Sequence, residues 1–288
     1  MDAKQPFLSV RRTLSCNGRV LSLDVPKVMG IINVNSDSFY SPSRFRFSHS
    51  IARRANAIIQ QGGDIIDIGA CSTRPGAKPI SEAMELKHLS KAMRAVRKRL
   101  PDAIVSIDTY RASVARAMVN DFGASIINDI SAGNMDPQML PTIAELKVPY
   151  ILTHMQGTPE DMQNNPTYKD VVVDITTFFA EKLNALRKLG INDIILDPGF
   201  GFGKSPEHNF TLLNKMDSFR VFELPIMVGI SRKSMVYKTL NTSPRYALNG
   251  TTVLNTIALT HGAKILRVHD VEEAVQAVKL TQLLRGSN

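Results

Sequence analysis

The sequence predicts an α/β chain folded as a (β/α)8 barrel, a TIM barrel, with a short N-terminal β-hairpin extension. Eight short apolar runs recur along its 288 residues, their ends 20 to 44 residues apart. That spacing accommodates one strand, one helix and two loops per unit. Nearly every run ends in a polar residue able to do chemistry, and in such a barrel the C-terminal strand ends converge on one face. An open doubly wound sheet usually has fewer strands and concentrates its polar residues at one switch point.

Residues 1–27 form the extension and residues 28–288 the barrel. Leu8 to Ser15 and Arg19 to Asp24 flank Asn17-Gly18, the preferred pair for a two-residue hairpin turn. The hairpin is expected to cover the far end of the barrel, with no chemistry of its own. Val28 to Ile32 then runs into Asn33, Ile65–Ile66 into Asp67, Ile104 to Ile107 into Asp108, and Ile126–Ile127 into Asn128. Pro149 to Leu152 runs into Thr153 and His154, and Ile194 to Leu196 into Asp197. Pro225 to Val228 enters the Gly229 to Ser234 loop, and Ile265–Leu266 runs into Arg267 and His269.

The formal charge is +9, from 35 basic and 26 acidic residues. An anionic substrate, a nucleic acid or merely a basic surface would fit that balance. The basic residues are dispersed, and Arg97-Lys98-Arg99 reads as a solvated helix face. With no Trp, six Tyr and no RNA or DNA motif, nucleic-acid binding is set aside. Cys16 and Cys71, the two cysteines, are too few and isolated for a disulfide framework or a Cys-based zinc site, so a cytoplasmic setting is expected. No signal peptide or transmembrane-length apolar run is apparent.

Asp197-Pro-Gly-Phe-Gly-Phe-Gly-Lys204 is the sharpest local signal. Its glycines let backbone approach a ligand closely, while its phenylalanines wall an apolar slot. A phosphate-binding P-loop would need glycine where Pro198 stands, which excludes that reading. Gly229-Ile-Ser-Arg-Lys-Ser234 supplies backbone donors, hydroxyls and cations suited to an anion or an electronegative ring edge, with Lys233 and Ser234 as the functional choices and Arg232 free to turn outward into a salt bridge.

Arg267 and His269 share a side of the last strand by alternation, so that one grips phosphate and the other assists. His154 is as plausible in a core as in a site. Asp108, Asn128 and Asp197 with Lys233 offer two acceptor groups, one amide of mixed character and one cation. A flat heterocycle with a ring NH, an exocyclic amine and a carbonyl satisfies that set, whereas unpaired buried carboxylates are costly. Asp67 is expected to be an orienting or structural carboxylate, and Cys71 to pack.

Taken together, Met29-Gly-Ile-Ile-Asn33, Asp64-Ile-Ile-Asp-Ile-Gly69, Ser72-Thr-Arg-Pro-Gly-Ala77, Ile127-Asn-Asp129, His154-Met-Gln-Gly157, Asp197 to Lys204, Ser231-Arg-Lys-Ser234 and Arg267-Val-His-Asp270 resemble, in order, the motifs of the dihydropteroate synthase family. The resemblance runs from about Val28 to the C-terminus. It implies a barrel, usually a homodimer and a sulfonamide target, that joins 6-hydroxymethyl-7,8-dihydropterin diphosphate to p-aminobenzoate by an SN1-like route, with Mg²⁺ as the metal.

By that resemblance, Asp108, Asn128, Asp197 and Lys233 bind the pterin, Phe202 walls it and Arg267 covers it. Asn33, Arg74, Arg267 and His269 hold the diphosphate, Asn33 also approaching Mg²⁺. Thr73, Pro75 and Ser234 belong to the p-aminobenzoate side. The catalytic set is Asp108, Lys233 and Arg267 with Asp37 and Phe39, which lie in a loop over residues 35–47 expected to close over the site. Two departures stand out: Asn35-Ser36 replaces the family's common Thr-Pro, and Cys71 replaces its frequent Glu. The alternatives are a pterin-dependent methyltransferase of the same fold, which would need no pyrophosphate site, and a catalytically silent pterin-binding paralogue.

Overall fold

The computed structural model describes residues 10–34, 44–71, 80–162 and 166–286. The chain opens with an antiparallel hairpin, β1 (Thr13–Cys16) and β2 (Arg19–Ser22). Asn17 and Gly18 turn it with φ of 50° and 75°, the paired positive values that a tight hairpin turn demands.

Eight parallel strands follow: β3 (Lys27–Asn33), β4 (Ile65–Gly69), β5 (Ile104–Asp108), β6 (Ile126–Asp129), β7 (Tyr150–Thr153), β8 (Ile194–Asp197), β9 (Met227–Val228) and β10 (Ile265–Val268). Their order is β8-β7-β6-β5-β4-β3-β10-β9, and a parallel bridge between Leu196 and Ile226 brings the two ends together. The first barrel strand begins one residue earlier than the apolar pattern indicates, because Lys27 pairs with Ile265.

Helices separate the strands: α1 (Arg44–Gln60), α2 (Glu82–Arg99), α3 (Ala112–Phe122), α4 (Met139–Leu146), α5 (Val171–Lys188), α6 (Pro206–Asn214), the short α7 (Ser234–Tyr237), α8 (Leu248–Thr260) and α9 (Val271–Gly286). Residues 44–47 open α1, so the expected loop of 35–47 ends earlier; its serines and Pro42, which oppose helix, stop at Ser43. Arg97 is not merely solvated: it donates to the carbonyls of Phe122, Pro101, Ala103 and Gly123. It thereby satisfies carbonyls at the end of α3 that the helix itself cannot.

Side chains alternate across each strand. One set joins the helices in the outer core, which includes Ile66, Ile107, Phe179 and Leu266. The other points into the barrel, where Met29, Ile65, Ile126, Ile151, Ile195, Met227 and Ile265 form a plug sealed from below by Leu14, Cys16, Leu21 and Leu23 of the hairpin region. The floor is therefore dry and packed, and polar side chains begin one layer higher with Asp67, Ser106, Asn128 and Thr153, all buried. Among the described residues, no helix is long and apolar enough to cross a membrane.

Candidate active site

Register brings the polar layer together. Asp67 pairs with Ser106, Asp108 with Asn128, and Thr153 with Asp197. Arg267 rises from β10 into this layer, its Nε and Nη2 each 2.7 Å from Asp67 Oδ2 and its Nη2 2.7 Å from Asp108 Oδ2. Burial alone would lower the Arg267 pKa, but the two carboxylates outweigh it and raise it. Asp67 is fully buried and paired with Arg267. Asp108 is pushed up to about 7, chiefly by burial, with Arg267 opposing and Asp67 adding to the rise. Asn128 Nδ2 approaches Asp67 at 3.5 Å, while its Oδ1 is buried without a protein partner.

Asp197 ends β8, and its Oδ1 accepts the Gly199 N–H at 2.8 Å. Burial raises its pKa, and Lys233 heads the groups that oppose the rise. Lys233 Nζ donates to the Phe200 carbonyl and lies 4.3 Å from the centre of the Phe202 ring. Burial lowers its pKa to about 8, with Asp197 acting against the shift. A Cβ on Gly229 would lie 3.9 Å from both Lys233 Nζ and Arg267 Cβ, so this glycine lies next to both side chains.

The glycines of the 199–203 turn have a tertiary reason. Gly199 and Gly203 take φ of 70° and 58°, and a Cβ on them would stand 1.8 Å from the His154 carbonyl and 2.5 Å from the Gln156 carbonyl. Only glycine lets this turn pack against the segment that follows β7. The result is that Phe202 is presented beside Lys233.

His269 sits at the rim, beyond the last residue of β10, with Nδ1 3.1 Å from Ser231 Oγ. Packing around its ring, followed by Arg267, lowers its pKa to about 4, so the imidazole is neutral at neutral pH. Arg232 turns outward into a two-bond pair with Asp270, at 2.8 Å for each contact. Asn33 is exposed at the end of β3, and Ser234 opens the short helix after Lys233. Asp108, Asn128, Asp197, Phe202, Lys233 and Arg267 are thus assembled at the strand ends, with Asn33 and His269 at the rim. Asp37, Phe39, Thr73, Arg74 and Pro75 lie outside the described residues.

Sequence reasoning left three residues without a task. Ser231 orients His269, and Lys204 is buried behind the glycine turn. Asp129 binds the Tyr150 hydroxyl and the Ser131 and Gly133 amides, so it shapes the loop after β6. The hydrophobic pattern offers no sign of the distant partners, His269 for Ser231, His154 for Lys204 and Tyr150 for Asp129, because each lies on another strand or loop. Burial, then the Glu85 carboxylate, push the Cys71 thiol up to about 12, which disfavours its thiolate form.

The sequence pattern of the family described as "Pterin binding enzyme" matches residues 29–269. The dihydropteroate synthase of Escherichia coli is 40% identical over 271 residues, spanning 93% of this chain and 95% of that relative. A Yersinia pestis dihydropteroate synthase, solved as a sulfonamide drug complex, superposes with a TM-score of 0.88 at 39% identity, covering 96% of this chain and all of that one. The Xanthomonas albilineans enzyme with 4-aminobenzoic acid also gives 0.88, at 34% identity over 95% and 98% of the two chains. The strand-end constellation and the length of these matches agree: the chain belongs to the pterin binding enzyme family, among the dihydropteroate synthases, transferases of folate biosynthesis.

Proposed function

We propose that the barrel mouth joins 6-hydroxymethyl-7,8-dihydropterin diphosphate to p-aminobenzoate, giving 7,8-dihydropteroate and pyrophosphate, by departure of pyrophosphate before capture of the arylamine. The observation that carries this reading is the convergence of Asp108, Asn128 and Asp197 with Lys233 above a sealed apolar floor. Asp197, held by the Gly199 amide on one oxygen, accepts from the pterin ring NH and exocyclic amine on its other side. Lys233 donates to the ring edge, Asn128 Oδ1 takes a remaining donor, and Phe202 walls the ring.

The family resemblance assigns Arg267, His269, Asn33 and Arg74 to binding of the diphosphate, and Thr73, Pro75 and Ser234 to binding of the p-aminobenzoate. As the carbon–oxygen bond breaks, its electron pair leaves with pyrophosphate and the carbon becomes a cation delocalised over the pterin. Asp108 offers negative charge to that cation, and Arg267 offers positive charge to the departing pyrophosphate. The arylamine lone pair then forms the carbon–nitrogen bond, and the amine releases one proton. Asp37 and Phe39 shield the cation from water.

For Mg²⁺, the donor set fits a metal that arrives with phosphate. Among the described residues, no three His, Cys, Asp or Glu side chains form a metal-binding group, whereas Asn33 offers an exposed oxygen at a strand end. Mg²⁺ commonly binds through one or two protein ligands plus substrate phosphates, and when bound it neutralises diphosphate charge.

Leu280 and Leu284, one turn apart on α9, are 64% and 68% exposed, and α9 packs on α8, which exposes Val253 and Ile257. Exposed apolar faces of this kind mark association sites and support a homodimer. Cys16 and Cys71 are both unpaired, which supports a cytoplasmic setting. By analogy with the Yersinia pestis enzyme, solved as a sulfonamide drug complex, this protein binds sulfonamides as well.

The test is incubation of the pure protein with the pterin diphosphate, Mg²⁺ and p-aminobenzoate. Equal amounts of dihydropteroate and pyrophosphate are expected. Pterin binding without product would establish the silent paralogue instead.

A further inference from the structure

Lys204 is 3% exposed, and nothing in the reaction calls on it. Its Nζ donates to the Gly199 carbonyl at 2.9 Å and the Phe202 carbonyl at 3.0 Å. Its third close partner is His154 Nδ1 at 3.0 Å, with the His154 carbonyl farther off at 3.4 Å. His154 is itself buried, and its ring meets Phe178 edge-on with centroids 4.9 Å apart. Burial, then the Lys204 charge, lower the His154 pKa to about 2, so the ring is neutral and Nδ1 is available to accept.

The two carbonyls bound by Lys204 bracket the turn that forms one side of the pterin pocket. Within that turn the Gly199 amide holds Asp197, and the Phe200 carbonyl accepts from Lys233. Two amines therefore grip one turn, Lys233 from the ligand side and Lys204 from behind. Tyr168 adds a bond from its hydroxyl to the Gly203 carbonyl at 2.8 Å. The positive φ values of the glycines let the carbonyls diverge toward these donors.

We propose that Lys204 and His154 are positioning residues for the pterin: holding the Gly199 and Phe202 carbonyls from behind, they fix the turn that presents Phe202 and orients Asp197 before the ligand arrives. The inference rests on the pterin-binding reading and deepens it. A preorganised pocket raises affinity by removing the ordering cost from the binding step. Losing the clamp should therefore weaken the pterin in ground and transition states alike, which raises KM without lowering kcat.

Calorimetry with the pterin, and steady-state kinetics with both substrates, separate this role from general stabilisation. Lys204→Met should weaken pterin binding and raise KM for the pterin diphosphate about tenfold or more. It should leave kcat at saturation within about threefold and KM for p-aminobenzoate unchanged. His154→Leu should act in the same direction. His154→Asn, whose Oδ1 can replace Nδ1, should restore most of the affinity.

A folded Lys204→Met that binds pterin like the wild type, or that loses kcat with pterin KM unchanged, overturns the assignment. Should Lys204→Met not fold, the His154 pair decides: equal affinities for the Leu and Asn variants refute the clamp, and rescue by Asn alone upholds it. A wild-type protein that binds no pterin would instead remove the reaction itself.

Discussion

The Arg267 guanidinium donates to Asp108 Oδ2 across 2.7 Å, tying β10 to β5 over the two strands that lie between them in the sheet. The same side chain holds the fully buried Asp67. The pocket's main cation and its cation-stabilising carboxylate are therefore one network, and neither can be altered without affecting the other.

Asp108→Asn should lower kcat about 100-fold, the scale of one preorganised electrostatic group. The pKa of about 7 places a fall in wild-type activity below neutral pH, where Asp108 takes up a proton, and this limb should vanish in the variant. Because folding raises this pKa from 3.8, its stabilising contribution is complete below 3.8 and lost as pH rises through about 7. Melting of the ligand-free wild type between pH 4 and 7 should show that decline, and Asp108→Asn should show less of it.

Arg267→Ala should weaken the diphosphate substrate more than a hydroxymethyl pterin, which isothermal calorimetry with both ligands reads directly. It should also destabilise the fold by about 3–5 kcal/mol, because the buried Asp67 loses its ion-pair partner in the barrel. Adding Asp67→Asn should recover part of that loss in denaturant unfolding, but not the diphosphate affinity.

Asp197→Asn should keep the fold and cost at least about 2–3 kcal/mol of pterin binding, since an amide turns a donor toward a ring donor. Unchanged affinity in a folded variant would remove Asp197 from the pterin set.

Phe39→Ala and Asp37→Ala should depress capture of p-aminobenzoate while sparing pterin affinity, seen as a rise in the hydrolysed pterin alcohol relative to dihydropteroate. Wild-type partitioning in both variants would make their segment a linker.

Leu280→Glu with Leu284→Glu should shift a homodimer to monomer in analytical ultracentrifugation, because two charges would be placed on an apolar contact face. A monomeric wild type would end that reading.

What the sequence determined by itself was everything governed by local periodicity and by polar punctuation. The repeated apolar runs specify strands because alternation decides which side chains enter the barrel. The residue after each run marks the mouth, so Asp108, Asn128, Asp197 and Arg267 were legible one at a time, and Lys233 through the loop that follows the seventh run. Asn17-Gly18 likewise fixed the hairpin through its φ requirement alone.

The tertiary structure decided how those residues pair. That Arg267 binds Asp67 and Asp108 depends on strand order and register, which bring positions 67, 108 and 267 together although no local pattern relates them. The contact of Lys204 with His154, and the closeness of Gly199 to the His154 carbonyl, arise where two loops meet. Periodicity records which face of an element is buried, and it carries no record of the partner waiting there; hydrogen bonds and ion pairs act over a few ångströms in space, at sequence separations set only by the fold.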